Sequence, residues 1–323
     1  DPSVGGSGGD ALDSLVLTEQ LLLSGGSGGL VAGLLTHAIA LPHIVASGAG
    51  DQIDMVVRPV LAGEAIAALA VTEPDGGSDV AALRTTAARD GDDYVVNGSK
   101  TYITSGIRAD FLTTVVRTGD AGHAGLSILV IPAASPGVTR RALPKMGWRC
   151  SDTAEIGFTD VRVPASYLVG AEGTGFIQVA RQFVDERIGL AVQAYATAQR
   201  CLDLTLDWVR ARETFGRPLA SRQLVRHRLV EMHRQVDVAR TYVRHVTARH
   251  VAGQDVVAEA ALAKNTAVAA CDHVVDEAVQ LHGGLGYMQG TEVERHYRDA
   301  RILGIGGGTT EVMTELAAAR LGW

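Results

Sequence analysis

Apolar spacing changes twice along this chain, from short helical stretches to strands near residue 69 and to long helical stripes after about 170. From about residue 69 to 165, Gly, Pro and Asn punctuate short β-rich runs at 94–96, 111–116, 126–131 and 155–163. In the last run Ile156, Phe158, Val161 and Val163 recur mostly every second residue, as a half-covered strand requires, and Pro164 closes it. After about 170 the spacing is helical. Phe176, Val179, Ala180, Phe183 and Val184 open one apolar stripe, and Leu229, Val230, Met232, Val236, Ala239 and Val243 form another. Residues 260–281 and 312–321 predict two more helices, and four such segments read as an antiparallel bundle. Residues 1–68 are rich in Gly, Ala and Leu, with apolar stretches short enough only for short helices. The expected fold is multidomain α+β: an N-terminal α-helical domain (1–68), a central β domain (69–165) and a C-terminal four-helix bundle (166–323). No β-α-β alternation is present, which argues against a Rossmann sheet.

Composition narrows the partners. The 323 residues carry a net charge of −7, with a pI of about 5.8 and a mean hydropathy of +0.14. No whole-chain positive field exists to hold a nucleic-acid backbone. No run of about 18 uncharged apolar residues marks a membrane span, and no charged-then-apolar leader precedes a cleavage site. Cytoplasmic placement is the expectation. Only Lys100, Lys145 and Lys264 are lysines, leaving Arg for the rest of the 29 basic residues, a bias that points to a GC-rich bacterial source. The start at Asp1-Pro2 without Met, with GGSGG at 5–9 and 25–29, suggests an incomplete N-terminal domain. Cys150, Cys201 and Cys271 contain no C-x-x-C pair and read as free buried thiols. The histidines include no H-E-x-x-H, so no metal site is expected, and no G-x-S-x-G elbow is present.

Five segments could carry chemistry, and each has an ordinary structural explanation beside it. Thr72 to Asp79, T-E-P-D-G-G-S-D, is an irregular loop whose amides and hydroxyls can face a ligand, or a surface turn. In N-G-S-K-T-Y-I-T the spacing is wrong for a phosphate loop; Tyr102 and Thr104 could flank a planar cofactor, although Asn97-Gly98 is first a hairpin signal. Arg210 to Arg217, with Gln223 beyond, places Arg212 and a bend-permitting Gly216 between two helices. Gln280 to Tyr287 ends a helix with glycines that suit a C-cap. Gly304 to Glu311 feeds glycine-rich backbone into a helix N-terminus, which favours anions. Asp185-Glu186-Arg187 stands inside an apolar helical stripe.

Taken in order, T-E-P-x-x-G-S-D, N-G-x-K-x-[WY]-I-T, K-M-G-W-R (145–149), F-x-D-V-R-V-P (158–164), R-x-x-F-G, Q-x-H-G-G-x-G-Y and R-D-A-R (298–301) resemble the acyl-CoA dehydrogenase family along nearly the whole chain. The resemblance implies the acyl-CoA dehydrogenase fold, tightly bound FAD, an acyl-CoA substrate, electron-transferring flavoprotein as acceptor and a homotetramer. By match to the family's motifs, Leu69, Val71, Thr72, Gly77 and Ser78 and the triplet Tyr102, Ile103 and Thr104 belong to flavin-facing loops, with Thr104 near flavin N5. Tyr102 stands where the family commonly has Trp. Arg212, Phe215 and Gln223 reach FAD, Arg212 across a subunit interface. Gln280, Leu281, Gly283, Gly284, Thr309 and Glu311 supply the other FAD contacts, while Ser78, Val184, Asp185, Arg187 and Gly308 match substrate-binding positions.

The departure is at the base. Many members carry it in an E-G-T sequence before the last helix, where this chain reads Gly307-Gly308-Thr309. In the branch typified by isovaleryl-CoA and long-chain dehydrogenases the base lies instead on the bundle helix in an E-R pair, which Glu186-Arg187 matches. The resemblance therefore implies Glu186 as the base that takes the α-proton, the Gly307 amide and the FAD ribityl 2′-hydroxyl as donors to the thioester oxygen, and flavin N5 as acceptor of the β-hydride, giving a trans-2-enoyl-CoA. Two alternatives share these motifs: a dehydrogenase whose acyl group rides on an acyl carrier protein, and a catalytically silent flavin-binding paralogue. An oxidase on the same fold is a third. Acyl chain length is not set by motif spacing.

Overall fold

The computed structural model describes residues 1–323. Short helices come first: α1 (Ala11–Leu23), α2 (Gly28–Leu34), α3 (His37–Ala40), α4 (Pro42–Ser47), α5 (Gly50–Gln52) and α6 (Arg58–Leu61). Prolines stand in the first turns of α4 and α6, and Gly48 ends α4 in the αL conformation. Helix α1 begins in a capping box, where the Asp10 carboxylate accepts from Leu12 N at 2.7 Å and Asp13 accepts from Asp10 N at 2.9 Å. Seven strands follow: β1 (Ala67–Ala70), β2 (Thr86–Asp90), β3 (Asp93–Thr104), β4 (Phe111–Arg117), β5 (Leu126–Pro132), β6 (Val138–Ala142) and β7 (Thr153–Pro164). They make one sheet in the order β1-β4-β2-β3-β7-β6, with β5 paired antiparallel along β4. Only the β1–β4 and β2–β4 pairings are parallel.

Sequence alternation places the core of the sheet. Tyr94, Val96, Ile156, Phe158, Val161 and Val163 are buried together in one apolar cluster. A second cluster joins Ala40, Ile44, Val56 and Val57 to Val115, Leu126, Ile128 and Val130. The Asn97-Gly98 hairpin expectation fails here. These residues lie inside β3, where the register to β7 shifts between Val96 and Gly98, and the turn into β3 falls at Gly91 instead. A Cβ on Gly98, at φ 143, would come 2.7 Å from Thr85 Cα, so glycine is required by crowding in a bulge.

The helical part holds α7 (Gly175–Ala211), α8 (Gln223–Val251), α9 (Val257–His282), α10 (Gly284–Tyr287), α11 (Glu292–Ala300) and α12 (Thr310–Leu321), with a small hairpin of β8 (Glu213–Thr214) and β9 (Arg217–Pro218) between α7 and α8. Most of each stripe read from the sequence is buried, Leu229, Met232, Val236, Ala239 and Val243 on α8 and Ala260, Ala267, Cys271, Val274 and Ala278 on α9, but Val230 and, on α7, Ala180 face outward because they lie off the covered arc of their helices. Helix α11 carries Glu, Arg and His among few apolar residues and left no stripe to read. Cys201 and Cys271 are free and buried as expected, but Cys150 is exposed. No single helix is long and apolar enough to cross a membrane. Two compact units result, one of residues 1–8, 32–145 and 149–183 and the other of 9–31, 146–148 and 184–323.

Candidate active site

In the sheet-bearing unit the loop after β1 is held by a buried ion pair. Lys100 on β3 has no exposed surface; its Nζ donates to Val71 O at 2.8 Å and to Glu73 Oε1 at 2.9 Å. The Glu73 carboxylate also accepts from Thr85 N at 2.9 Å and Arg84 N at 2.7 Å. Burial alone would raise the Glu73 carboxyl, but Lys100 and these donors hold it below the ordinary carboxylate value. Burial pushes Lys100 down to about 8 against the opposing pull of Glu73. The Thr101 amide then donates to Thr72 O at 2.8 Å, which ties the 72–79 loop to the end of β3.

That tie brings two sets of sequence-singled residues together, 69–78 and 102–104. Val71 and Ile103 turn their side chains into the core, so what they can offer a ligand is backbone. Tyr102 does the opposite: at φ 59 it stands 70% exposed. Thr72, Leu69 and Thr104 are half-buried, and Gly77 and Ser78 are exposed. Ser105, also at positive φ, is buried with its hydroxyl 2.8 Å from Thr36 Oγ1.

In the bundle unit, α7 presents Val184 to Arg187 in one turn. Val184 and Arg187 are buried, Glu186 is half-buried and Asp185 is exposed, its carboxylate 2.7 Å from His250 Nε2 on α8. Glu186 faces Gly307. A Cβ built on Gly307, at φ +63, would lie 3.4 Å from Glu186 Oε1 and only 2.4 Å from Leu190 Cδ1. The carboxylate thus fills the space that a side chain at 307 would enter. Protein mass around Glu186 removes water and raises its carboxyl above the ordinary value, while Lys264 and then Arg187 pull it back. Lys264, on α9 and 1% exposed, donates from Nζ to the carbonyls of Gly306 and Gly308. Burial brings it down to about 8, with Glu186 opposing. Thr309 caps α12 by accepting from Val312 N at 3.3 Å; Glu311 is exposed in the first turn, where its backbone amide and Thr309 hold its carboxyl below the ordinary value.

A third group of motif residues meets at one corner of this unit. The Trp208 ring stacks on His282 with centroids 5.3 Å apart and donates from Nε1 to Leu281 O at 3.1 Å. The Arg212 guanidinium lies 5.9 Å from the Trp208 centroid. Arg212 and the 280–284 segment, read separately from the sequence, are therefore neighbours through a tryptophan that no motif singled out. Gln280, Gly283 and Gly284 are exposed, and a Cβ on either glycine would meet nothing within 4 Å. Phe215, at φ 50 on the β8–β9 hairpin, is 96% exposed with Arg222 5.6 Å from its centroid, and Gln223 opens α8 nearby in sequence.

Two motifs serve each other. Trp148 N donates to Asp299 Oδ1 at 2.6 Å, Arg298 Nη1 donates to Met146 O at 3.1 Å, and a Cβ on Gly147 would strike Arg298 O at 2.4 Å. K-M-G-W-R and R-D-A-R are thus halves of one packed contact. Lys264 belongs to no motif of the sequence, while Glu73 and Lys100 stand in two of the motifs without being marked there as the pair that builds the loop. The available signal was that the chain keeps just three lysines.

Known proteins match this arrangement. Residues 68–161 fit the acyl-CoA dehydrogenase middle domain and residues 173–322 the acyl-CoA dehydrogenase C-terminal domain. The mitochondrial long-chain specific acyl-CoA dehydrogenase of Rattus norvegicus is 36% identical over 98% of this chain and 74% of its own length. The crystal structure of a probable acyl CoA dehydrogenase from Mycobacterium abscessus is 63% identical, with a TM-score of 0.99 over 100% of this chain and 86% of that one. A glutaryl-CoA dehydrogenase from Mycobacterium smegmatis in complex with FADH2 superposes with a TM-score of 0.93 at 27% identity, covering 99% of this chain and 81% of that one. With both domains matched in order and a relative 36% identical over 98% of this chain, the chain belongs to the acyl-CoA dehydrogenase family.

Proposed function

We propose that the protein is an FAD-dependent acyl-CoA dehydrogenase in which Glu186 removes the α-proton of the thioester. The observation that carries this reading is the carboxylate of Glu186 beside Gly307, 3.4 Å from where a Cβ at that position would stand. A base arriving from α7 there takes the place of one arriving from residue 307, and α-proton removal needs only that a carboxylate reach the carbon. The Gly307 amide remains to donate to the thioester oxygen as negative charge develops on it. Val184, Asp185, Arg187, Gly308 and Ser78 are the further residues proposed to line the substrate.

The features described above suit a flavin dinucleotide. Tyr102 offers an exposed ring beside loop amides, Arg212 offers a fork of donors suited to phosphate, and the glycines at 283–284 leave their backbone open to close approach. FAD, when bound, supplies the hydride acceptor at N5. Leu69, Val71, Thr72, Gly77, Ser78, Ile103 and Thr104 are proposed to hold its ring, and Arg212, Phe215, Gln223, Gln280, Leu281, Gly283, Gly284, Thr309 and Glu311 the rest. Electron-transferring flavoprotein is the proposed electron acceptor. A homotetramer is proposed as the working assembly, supported by exposed apolar side chains at Phe215 (96%), Leu224 (64%) and Val230 (68%).

The test is anaerobic loss of the visible flavin band during titration with saturated acyl-CoAs from isovaleryl to palmitoyl. Bleaching by one class of thioester is expected. Glu186→Gln should retain flavin and thioester binding and lose roughly 10²–10⁴ in the rate of bleaching. Bleaching only by carrier-protein thioesters, or full turnover by Glu186→Gln, would defeat the reading.

A further inference from the structure

Lys264 spends its ammonium on a single turn. Nζ donates to Gly306 O and Gly308 O, the carbonyls on either side of Gly307, and the side chain is 1% exposed. The Gly306 carbonyl and the Gly307 N–H belong to the same planar trans peptide, so they point in opposite directions. A cation that fixes the carbonyl behind the turn therefore fixes the direction in which the Gly307 N–H points in front of it. The same hydrogen bond polarises the peptide and makes that N–H a better donor. A side chain at residue 307 would be strained at φ +63 and would have to displace the Leu190 methyl group 2.4 Å from its Cβ.

The turn also touches the base. Glu186 lies against Gly307, and the groups whose charge reaches it are Lys264 from α9 and Arg187 from its own helix. Asp185 is engaged with His250 of α8, and the 304–308 turn carries no ionisable side chain.

We propose that Lys264 is a positioning residue for the thioester site, aiming the Gly307 amide at the substrate oxygen and setting a positive charge behind the turn against which Glu186 lies. The inference rests on the dehydrogenase reading above. It is supported by the opposed influences on Glu186, where burial raises the carboxyl and Lys264 is the larger of the two groups that lower it.

The experiment uses the flavin-loaded full chain and a 3-thia-acyl-CoA, whose α-proton is acidic and whose β-position holds no hydride. Loss of α-deuterium to water, followed by NMR across pH, reports proton abstraction without any redox step. Lys264→Gln keeps a donor but removes the charge. It should move the acid limb of the exchange profile upward by about one pH unit and slow exchange on the plateau by roughly 10–100-fold. Lys264→Arg, which keeps the charge, should leave the acid limb at its wild-type position while slowing the plateau. A folded, flavin-bearing Lys264→Gln with wild-type limb and plateau overturns the proposal. If that variant does not fold, Lys264→Arg decides: a limb displaced upward despite the retained cation overturns it, and an unmoved limb with a slowed plateau supports it. A wild type that neither exchanges deuterium nor bleaches with any acyl-CoA defeats the dehydrogenase reading itself, a result distinct from an active wild type beside an indifferent Lys264→Gln.

Discussion

Two buried cations do most of the local construction. Lys100 satisfies Val71 O and Glu73, and removing one partner of a buried pair leaves the other charge stranded. Lys100→Met should therefore cost about 3–5 kcal/mol in urea unfolding and weaken flavin retention, because the 72–79 loop loses its tether; an unchanged unfolding midpoint would count against this. Glu186 behaves in the contrary sense. Its carboxyl is raised by burial above the ordinary 4.5, so the folded state binds its proton more tightly than the unfolded chain does. Stability from this residue is thus lost as pH climbs from about 4.5 toward the folded value, and the base becomes active over that same climb. Thermal midpoints of wild type and Glu186→Gln should coincide near the bottom of that window and separate above it, the variant being the more stable. Convergence at neutral pH would mean that burial does not penalise the ionised acid. Residue chemistry at this level was legible only through motif resemblance, because a lone E-R pair in a helix is ordinarily a solvated one.

At the scale of elements, the long ones could be read and the irregular ones could not. Helices α7, α8, α9 and α12 announce themselves by apolar stripes that are mostly buried, β7 by alternation, and β4 and β5 by β-rich runs between turn signals. Helix α11 did not, because its Arg, Glu and His side chains are engaged in ion pairs such as Arg200–Glu292 at 2.7 Å and hide its covered face. Asn97-Gly98 misled for a related reason: a dipeptide that suits a hairpin also suits a bulge, and the crowding by Thr85 that selects the bulge is a tertiary contact. The Gly306–Gly308 turn is the element on which function depends most. Gly307→Ala should abolish acyl-CoA bleaching, since its Cβ would strike Leu190 Cδ1 at 2.4 Å. Leu190→Ala in the same chain should recover part of that activity, although an alanine at positive φ still carries about 1–2 kcal/mol of strain. Failure of the second change to restore anything would place the defect in the turn's conformation alone.

For the whole molecule, the order of helical, β and helical segments was readable because the apolar period switches near residue 69 and again near 170, whereas its partition into two units was not. Segments 9–31 and 146–148 join the bundle unit through side chains, such as Glu19 with Tyr195 at 2.8 Å and Trp148 with Asp299 at 2.6 Å, that no local pattern encodes. The placement of the lysines has a consequence at this scale. Of three in the chain, Lys100 and Lys264 have no more than 1% exposure, and Lys145 is half-buried with Nζ donating to Thr153 Oγ1 at 2.8 Å. Arginine, whose guanidinium stays protonated, provides the other cations. An acyl thioester is itself an acylating agent for free amines, so a catalyst that gathers thioesters around itself is at risk of slow self-modification. Here almost no side-chain amine is presented to receive the acyl group. Intact-mass analysis after prolonged exposure of the native protein to excess acyl-CoA should show at most one lysine adduct, and unfolding it first should expose three; several adducts on the native fold would mean that the buried lysines are reached after all.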